Sequence, residues 1–223
     1  MKFYGQWNPP VDEVLYRNYF PDKTDGFFVE CGALDGITHS CCLFFEQRGW
    51  KGINVEPADI NFKVMEANRP KTINVQAALG NHDGRTIFSK SMKGDICGGG
   101  SVEWHPKFQT KVANAGYEFV ESDVEILTYK TLTRRHNVKK VNLFVLDVEG
   151  YELKVIDGMT GSRHLPDVVC IEYPLVGLKS VRAAFIQIGY RFDFFSFNNA
   201  FFAMPFIPTK KHWFGKSEHI FAY

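Results

Sequence analysis

The 223-residue sequence contains no apolar run near the roughly 20 residues a membrane-spanning helix needs. Its opening, MKFYGQWNPP, has no apolar core of the kind that marks a secretory signal. Charge of one sign is also missing: the net charge is +1 and the pI near 7.7, so no field draws the chain toward nucleic acid or an anionic membrane. The five cysteines (Cys31, Cys41, Cys42, Cys97 and Cys170) are odd in number and form no CxxC pair, which points to reduced, packed thiols. Repeats and low-complexity linkers are absent. These absences leave one cytoplasmic α/β domain over residues 1–223 as the expectation, with an N-terminal loop and helix over 1–25 and a tail over 205–223.

The chain is organised around Phe27 to Gly36, FFVECGALDG. A short apolar run predicts a buried strand that stops at an acid, Glu30. Gly32 and Gly36 permit a tight turn and close approach of a ligand. Thr38 or Ser40 can cap a helix over Cys41 to Arg48, which Gly49 ends. Strand, glycine turn and helix open the nucleotide-binding sheets whose ligands sit at the carboxyl ends of strands. The turn does not match the GxGxxG spacing of an NAD fingerprint, so pyrophosphate binding fits poorly.

Pro10 predicts a helix over Val11 to Phe20. Asn8-Pro9-Pro10 resembles the NPPY box of amino-methyltransferases faintly, but Val11 stands where the aromatic belongs. Gly52 to Glu56 predicts a second strand ending in an acid, placed where Glu56 could accept from the vicinal hydroxyls of a ribose. Asp59 is expected to cap the next helix, and Ile73 to Ala78 to form the third strand. Residues 91–116, with Gly94, Gly98, Gly99, Gly100 and Ser101, read as an irregular loop and a candidate substrate lid. The basic cluster Arg134, Arg135, His136, Lys139 and Lys140 reads as a solvated helix face. Val141 to Leu146 predicts a buried strand ending in Asp147, followed by Glu149 and a helix over Tyr151 to Asp157 that Gly158 ends. Val168 to Ile171 ends in Glu172. After a helix over Leu178 to Ile188, two strands joined by Asn198-Asn199 predict an antiparallel finish. The phenylalanines of those strands are expected to form mostly sheet-face core.

Four strands therefore end in acids: Glu30, Glu56, Asp147 with Glu149, and Glu172. Carboxylates crowded at one sheet edge repel a phosphate and demand a cation or hydrogen-bond donors. S-adenosylmethionine, with an ammonium, a sulfonium and a ribose diol, meets that demand, and so does a divalent metal.

FFVECGALDG, INVEP, the NVQAALGN turn and LFVLDVEGYELKVIDGM resemble the FkbM family of S-adenosylmethionine-dependent methyltransferases over nearly the whole chain. DVEGYE is the most specific part. YGQ near the start and GYRF near the end are similar to that family's first and last segments. The resemblance implies a single Rossmann-like class I domain, with a seven-stranded, mostly parallel sheet carrying one antiparallel strand and helices on both faces. It further implies methylation of an oxygen, often on a sugar or natural-product scaffold. By position, Glu30 and Gly32 would hold the methionine end of the cofactor with Asp35 nearby. Glu56 would take the ribose, Ala78 and Leu79 would lie along the adenine, and Asp147 and Glu149 would fall beside the methyl group. A sugar hydroxyl needs a base, for which Asp147 or Glu149, then Glu172, are candidates, ahead of His39 and His164. The same three acids could instead hold Mg²⁺. Tyr4, Gln6, His39 and Ser101 are candidates for touching the acceptor. The rival readings are a non-sugar or nitrogen acceptor, a non-catalytic binding protein, and an NAD-dependent oxidoreductase, which the glycine spacing disfavours.

Overall fold

The computed structural model describes residues 1–210 and the backbone of residues 220–221. In chain order the elements are α1 (Val11–Tyr19), β1 (Phe27–Cys31), α2 (Leu43–Gln47), β2 (Lys51–Val55), α3 (Asp59–Asn68) and β3 (Ile73–Val75). Next come β4 (Ala78–Gly80), β5 (Gly84–Lys93), β6 (Ile96–Ser101), α4 (Pro106–Asn114), β7 (Glu118–Thr128) and α5 (Tyr129–Arg135). The last are β8 (Leu143–Leu146), α6 (Glu152–Met159), β9 (Val168–Glu172), α7 (Leu178–Gln187), β10 (Arg191–Ser196), β11 (Asn199–Ala203) and β12 (Ile220–Phe221).

The main sheet runs β12-β10-β11-β9-β8-β1-β2-β3. From β3 to β9 all neighbours are parallel, and β11 is antiparallel to both β9 and β10. Seven strands with one reversed member are thus as expected, and the two-residue β12 extends the edge beside β10. The central strands bury both faces, which explains their unbroken apolar runs. Val29, Ile53, Phe144 and Val169 join Leu132 of α5, Val155 of α6 and Phe185 of α7 on one face. Phe28, Leu143, Val145 and Cys170 meet Val14 and Leu15 of α1 and Phe44 and Phe45 of α2 on the other. Each such side chain contributes about 2–3 kcal/mol on burial. The five cysteines are free and buried, as their spacing suggests. Among the described residues no helix is long and apolar enough to cross a membrane.

A second sheet, β4-β7-β5-β6, has its own core around Phe88, Cys97, Ile126 and Tyr151. The sequence predicts strands over Thr86 to Ser89 and Phe119 to Thr128, which fall within β5 and β7, but not a separate sheet. The stretch expected as one strand over residues 73–78 is divided instead: β3 pairs with β2, and after the turn at 76–77 β4 pairs with β7 of the second sheet. Nor is 91–116 irregular. Two of the three glycines of β6 sit under rings: a Cβ on Gly98 would come within 2.7 Å of Tyr117, and one on Gly100 within 2.6 Å of Phe88. Those two serve close packing within a strand rather than flexibility, while Gly99 takes a φ of +109°. Pro106 then starts α4, a helix with no buried residue.

Three local expectations also change. The helix after the glycine turn is only Leu43–Gln47, with Ser40 Oγ accepting from Leu43 N at 3.0 Å. Asp59 does not cap α3; it lies in the first turn and receives Lys90 Nζ at 2.7 Å, while Glu56 Oε1 accepts from Ala58 N. Gly158 lies inside α6 rather than ending it, because α6 packs so closely on β4 that a Cβ there would sit 2.0 Å from the Gly80 carbonyl oxygen.

Candidate active site

The strand order reverses between β1 and β8, and a cavity of about 550 Å³ opens at the carboxyl ends of the strands around that point. Gly32 makes the closest approach there. Its φ is +81°, and a Cβ would fall 1.8 Å from the Asp147 carbonyl oxygen, so no other residue can link β1 to the turn in this form. The Gly32 amide donates to Val55 O at 3.0 Å and the Asp147 amide to Cys31 O at 3.1 Å, which tie the ends of β1, β2 and β8 together.

Glu30, Glu56, Asp147, Glu149 and Glu172 all line this cavity, so the acids of four strands converge. Their states differ. Glu56 is nearly buried and accepts from Leu34 N and Ala58 N, both at 2.9 Å, one on each oxygen. Burial outweighs those two bonds and pushes its pKa up to about 7. Asp147, Glu149 and Glu172 each bring a carboxylate oxygen within 4.8 Å of the other two. Asp147 is exposed to the cavity yet surrounded by protein, and burial, then Glu172, Glu149 and Glu152, raise its pKa well above the usual range. Burial and Glu172 push Glu149 up to about 8. Glu172 is raised by burial, opposed by hydrogen bonds from Asn198 Nδ2, at 3.3 Å, and from Asp147. Behind them Glu152 accepts from Val148 N and Gly150 N and is pushed up to about 7 by burial. Burial and mutual repulsion favour the protonated forms in this cluster, Lys111 opposes that at Glu149, and a further cation would favour the ionised forms. A hard, all-oxygen donor set of this kind suits a divalent ion such as Mg²⁺.

Glu30 is already engaged. Its Oε1 accepts from Cys41 N at 2.7 Å and Cys42 N at 3.1 Å, Ser40 Oγ donates to its Oε2 at 2.8 Å, and Arg69 Nη1 stands 3.5 Å away. Arg69 is fully buried; it also pairs with Glu46 and donates to Gly36 O. The Glu30 carboxylate thereby fixes the segment 40–42 at the cavity rim. Asp35 is not among the lining residues. Its oxygens accept from Ile37 N, Thr38 N and Thr38 Oγ1, a turn that uses the carboxylate locally.

Ala78 and Leu79, at the start of the second sheet, line the cavity, as do Gln6 and His39. Tyr4 and Ser101 do not: the Tyr4 hydroxyl pairs with Gln47, and Ser101 is buried with its Oγ accepting from Glu103 N at 3.1 Å. His164 also lies off the cavity, where its carbonyl accepts from Tyr129. The sequence reading missed Trp7, Phe108, Lys111, Tyr151 and Asn198, all of which line it. Lys111 is the one lysine or arginine among the described lining residues, and it lowers the Glu149 pKa. Phe108 and Lys111 lie three apart on one face of α4, a relation visible in sequence once Pro106 is read as a helix start. Trp7, Leu34, His39 and Glu149 hold left-handed backbone, with φ of 80°, 51°, 58° and 55°. Such conformations are costly outside glycine and gather where a site is preorganised.

Among curated proteins none matches this chain. The family described as the methyltransferase FkbM domain matches residues 30–192, which is more than half of the sequence and spans every acid of the cavity. The chain belongs to the FkbM methyltransferase family.

Proposed function

We propose that this FkbM-family methyltransferase uses S-adenosylmethionine to methylate a hydroxyl oxygen of a small molecule, a sugar of a glycan or glycoconjugate foremost. One observation carries the reading: four strand ends bring five acids into one cavity that holds a single lysine. Such a cavity repels phosphate and favours a cationic ligand. Gly32 presents bare backbone to the cavity, its missing side chain making way for the Asp147 carbonyl, and Glu56 accepts only one protein hydrogen bond on each oxygen, which leaves capacity for a diol. Ala78 and Leu79 offer an apolar edge for a base. Glu30 and Asp147 flank the turn where an amino-acid moiety would lie.

When bound, S-adenosylmethionine supplies an electrophilic methyl group on a sulfonium. The chain has to align an acceptor and accept a proton. Asp147, Glu149 and Glu172 bring carboxylate oxygens within 4.8 Å of one another, and burial raises the pKa of each. A positive charge entering the cavity lowers their pKa values and leaves a carboxylate free to take the hydroxyl proton. This base is also the reason to prefer oxygen: a neutral amine attacks with its own lone pair and needs no base in reach. A second reading rests on the same triad, where Asp147, Glu149 and Glu172 hold Mg²⁺ and the ion acidifies the hydroxyl.

The test is a calorimetric titration of S-adenosylmethionine into the full chain, beside Glu56→Ala and an NADH control, in two buffers of different ionisation enthalpy. Micromolar binding that Glu56→Ala weakens, with protons released on binding, supports the reading. A folded protein that ignores the methyl donor overturns it, and NADH binding would put an oxidoreductase in its place. Repeating the titration with Mg²⁺ separates the two accounts of the triad.

A further inference from the structure

We propose that Trp7 is the platform on which the acceptor ring lies, so that the segment ahead of α1 sets acceptor choice; this rests on the sugar reading above. Trp7 lines the cavity, remains 38% exposed, and stacks against Phe197 with ring centroids 5.2 Å apart and planes 8° from parallel. An exposed indole held flat offers an apolar, electron-rich face to a ring that carries C–H groups on one side. Around it stand groups that read hydroxyls. Gln6, Asn198 and Asn199 line the same cavity, and each amide both donates and accepts, the complement of vicinal hydroxyls. Asn198 also touches Glu172, which connects this wall to the proton acceptors.

The wall is rigid before any ligand arrives. Trp7, His39 and Phe197 all hold left-handed backbone at φ of 80°, 58° and 51°. Strain of this kind persists only where the surroundings over-determine it. Here Asp12, fully buried, accepts from Tyr4 N at 2.7 Å and Gly5 N at 3.0 Å, and Val11 N donates to Gln6 O at 3.2 Å. Gly5 bridges to His39 in parallel fashion, which fastens the segment to the rim that Glu30 holds. The core gains little from this arrangement, since Gln6 and Trp7 are left exposed. A ligand that uses the exposed face accounts for the cost.

The experiment uses the full chain with and without S-adenosylhomocysteine, and a panel of methyl glycosides of hexoses and 6-deoxyhexoses, observed by saturation-transfer NMR. 4-Methylcatechol serves as the aromatic competitor. The expected result is transfer to the ring protons of at least one glycoside, weakened about tenfold or more in Trp7→Ala and less in Trp7→Phe. S-adenosylhomocysteine affinity should stay within about twofold in both variants, which also shows that they are folded. The proposal is overturned if no glycoside binds, if Trp7→Ala binds glycosides as well as the parent, or if only the catechol binds. Loss of S-adenosylhomocysteine binding in the parent chain would strike the methyl-donor reading instead. Trp7-dependent glycoside binding in that chain would still support the platform.

Discussion

Glu56 and Trp7 line the same cavity, yet Glu56 is 4% exposed at the end of a buried strand and Trp7 is 38% exposed ahead of the first helix. Glu56 belongs to a floor made by the parallel strands, where side chains alternate between two cores and the backbone is tied at Gly32 and Asp147. Trp7 belongs to a wall assembled from the N-terminal segment, α4 and the second sheet. Its lining residues are apolar, glycine, amide or lysine, with no acid among those described. The floor concentrates charge and the wall offers shape. A methyl donor shared by a whole family suits a floor of this kind, and an acceptor that varies suits a wall that can be rebuilt without disturbing the sheet.

The contrast breaks if floor and wall variants do the same thing. Asp147→Asn removes the base proposed at the centre of the floor and is expected to slow methyl transfer by about 10² to 10⁴-fold. S-adenosylmethionine affinity, measured by calorimetry, should fall far less. Gly32→Ala forces a Cβ into the Asp147 carbonyl, where the backbone cannot yield. Chemical denaturation should show a loss of about 3 kcal/mol or more. Glu56→Gln leaves one acceptor oxygen and removes the charge, so the methyl donor should bind about 10 to 100-fold more weakly. An unchanged affinity would separate Glu56 from the cofactor altogether.

The pH dependence sharpens the same comparison. Burial raises Glu56 and Glu152 to about 7 and Glu149 to about 8, so the folded chain holds these protons more tightly than the unfolded chain does. Their contribution is therefore most favourable at low pH and is lost as pH rises through 7 to 8. Without a ligand, the melting temperature is expected to fall by several degrees between pH 5.5 and 8.5. A saturating cationic ligand should flatten that slope, because it favours the ionised forms. The wall supplies the smallest effect. Lys111→Ala should change KM for the acceptor by about threefold while leaving the methyl donor's affinity alone, and should let the Glu149 pKa rise.

Much of the floor was readable before the fold was known. An apolar run bounded by an acid and a glycine turn is a local pattern, and the parallel sheet follows from repeating it. Strand β6 of the second sheet was not readable, because its glycines mimic a loop until Phe88 and Tyr117 are seen lying over Gly100 and Gly98. Lys111 went unnoticed because it follows that stretch, in a helix that buries no residue. The tail expected over 205–223 falls mostly outside the described residues.

By itself the sequence determined that acids would end the strands and that a glycine turn would follow the first of them. These depend on residues adjacent in the chain. Only the tertiary structure decided which acids are open to a ligand. Glu30 is held by Ser40, Cys41, Cys42 and Arg69, and Asp35 by its own turn, whereas Glu56 and the Asp147, Glu149 and Glu172 cluster face the cavity. A carboxylate's role follows from the donors that reach it, and those that reach Glu30 come from residues 10 to 39 positions away, which no local pattern can place.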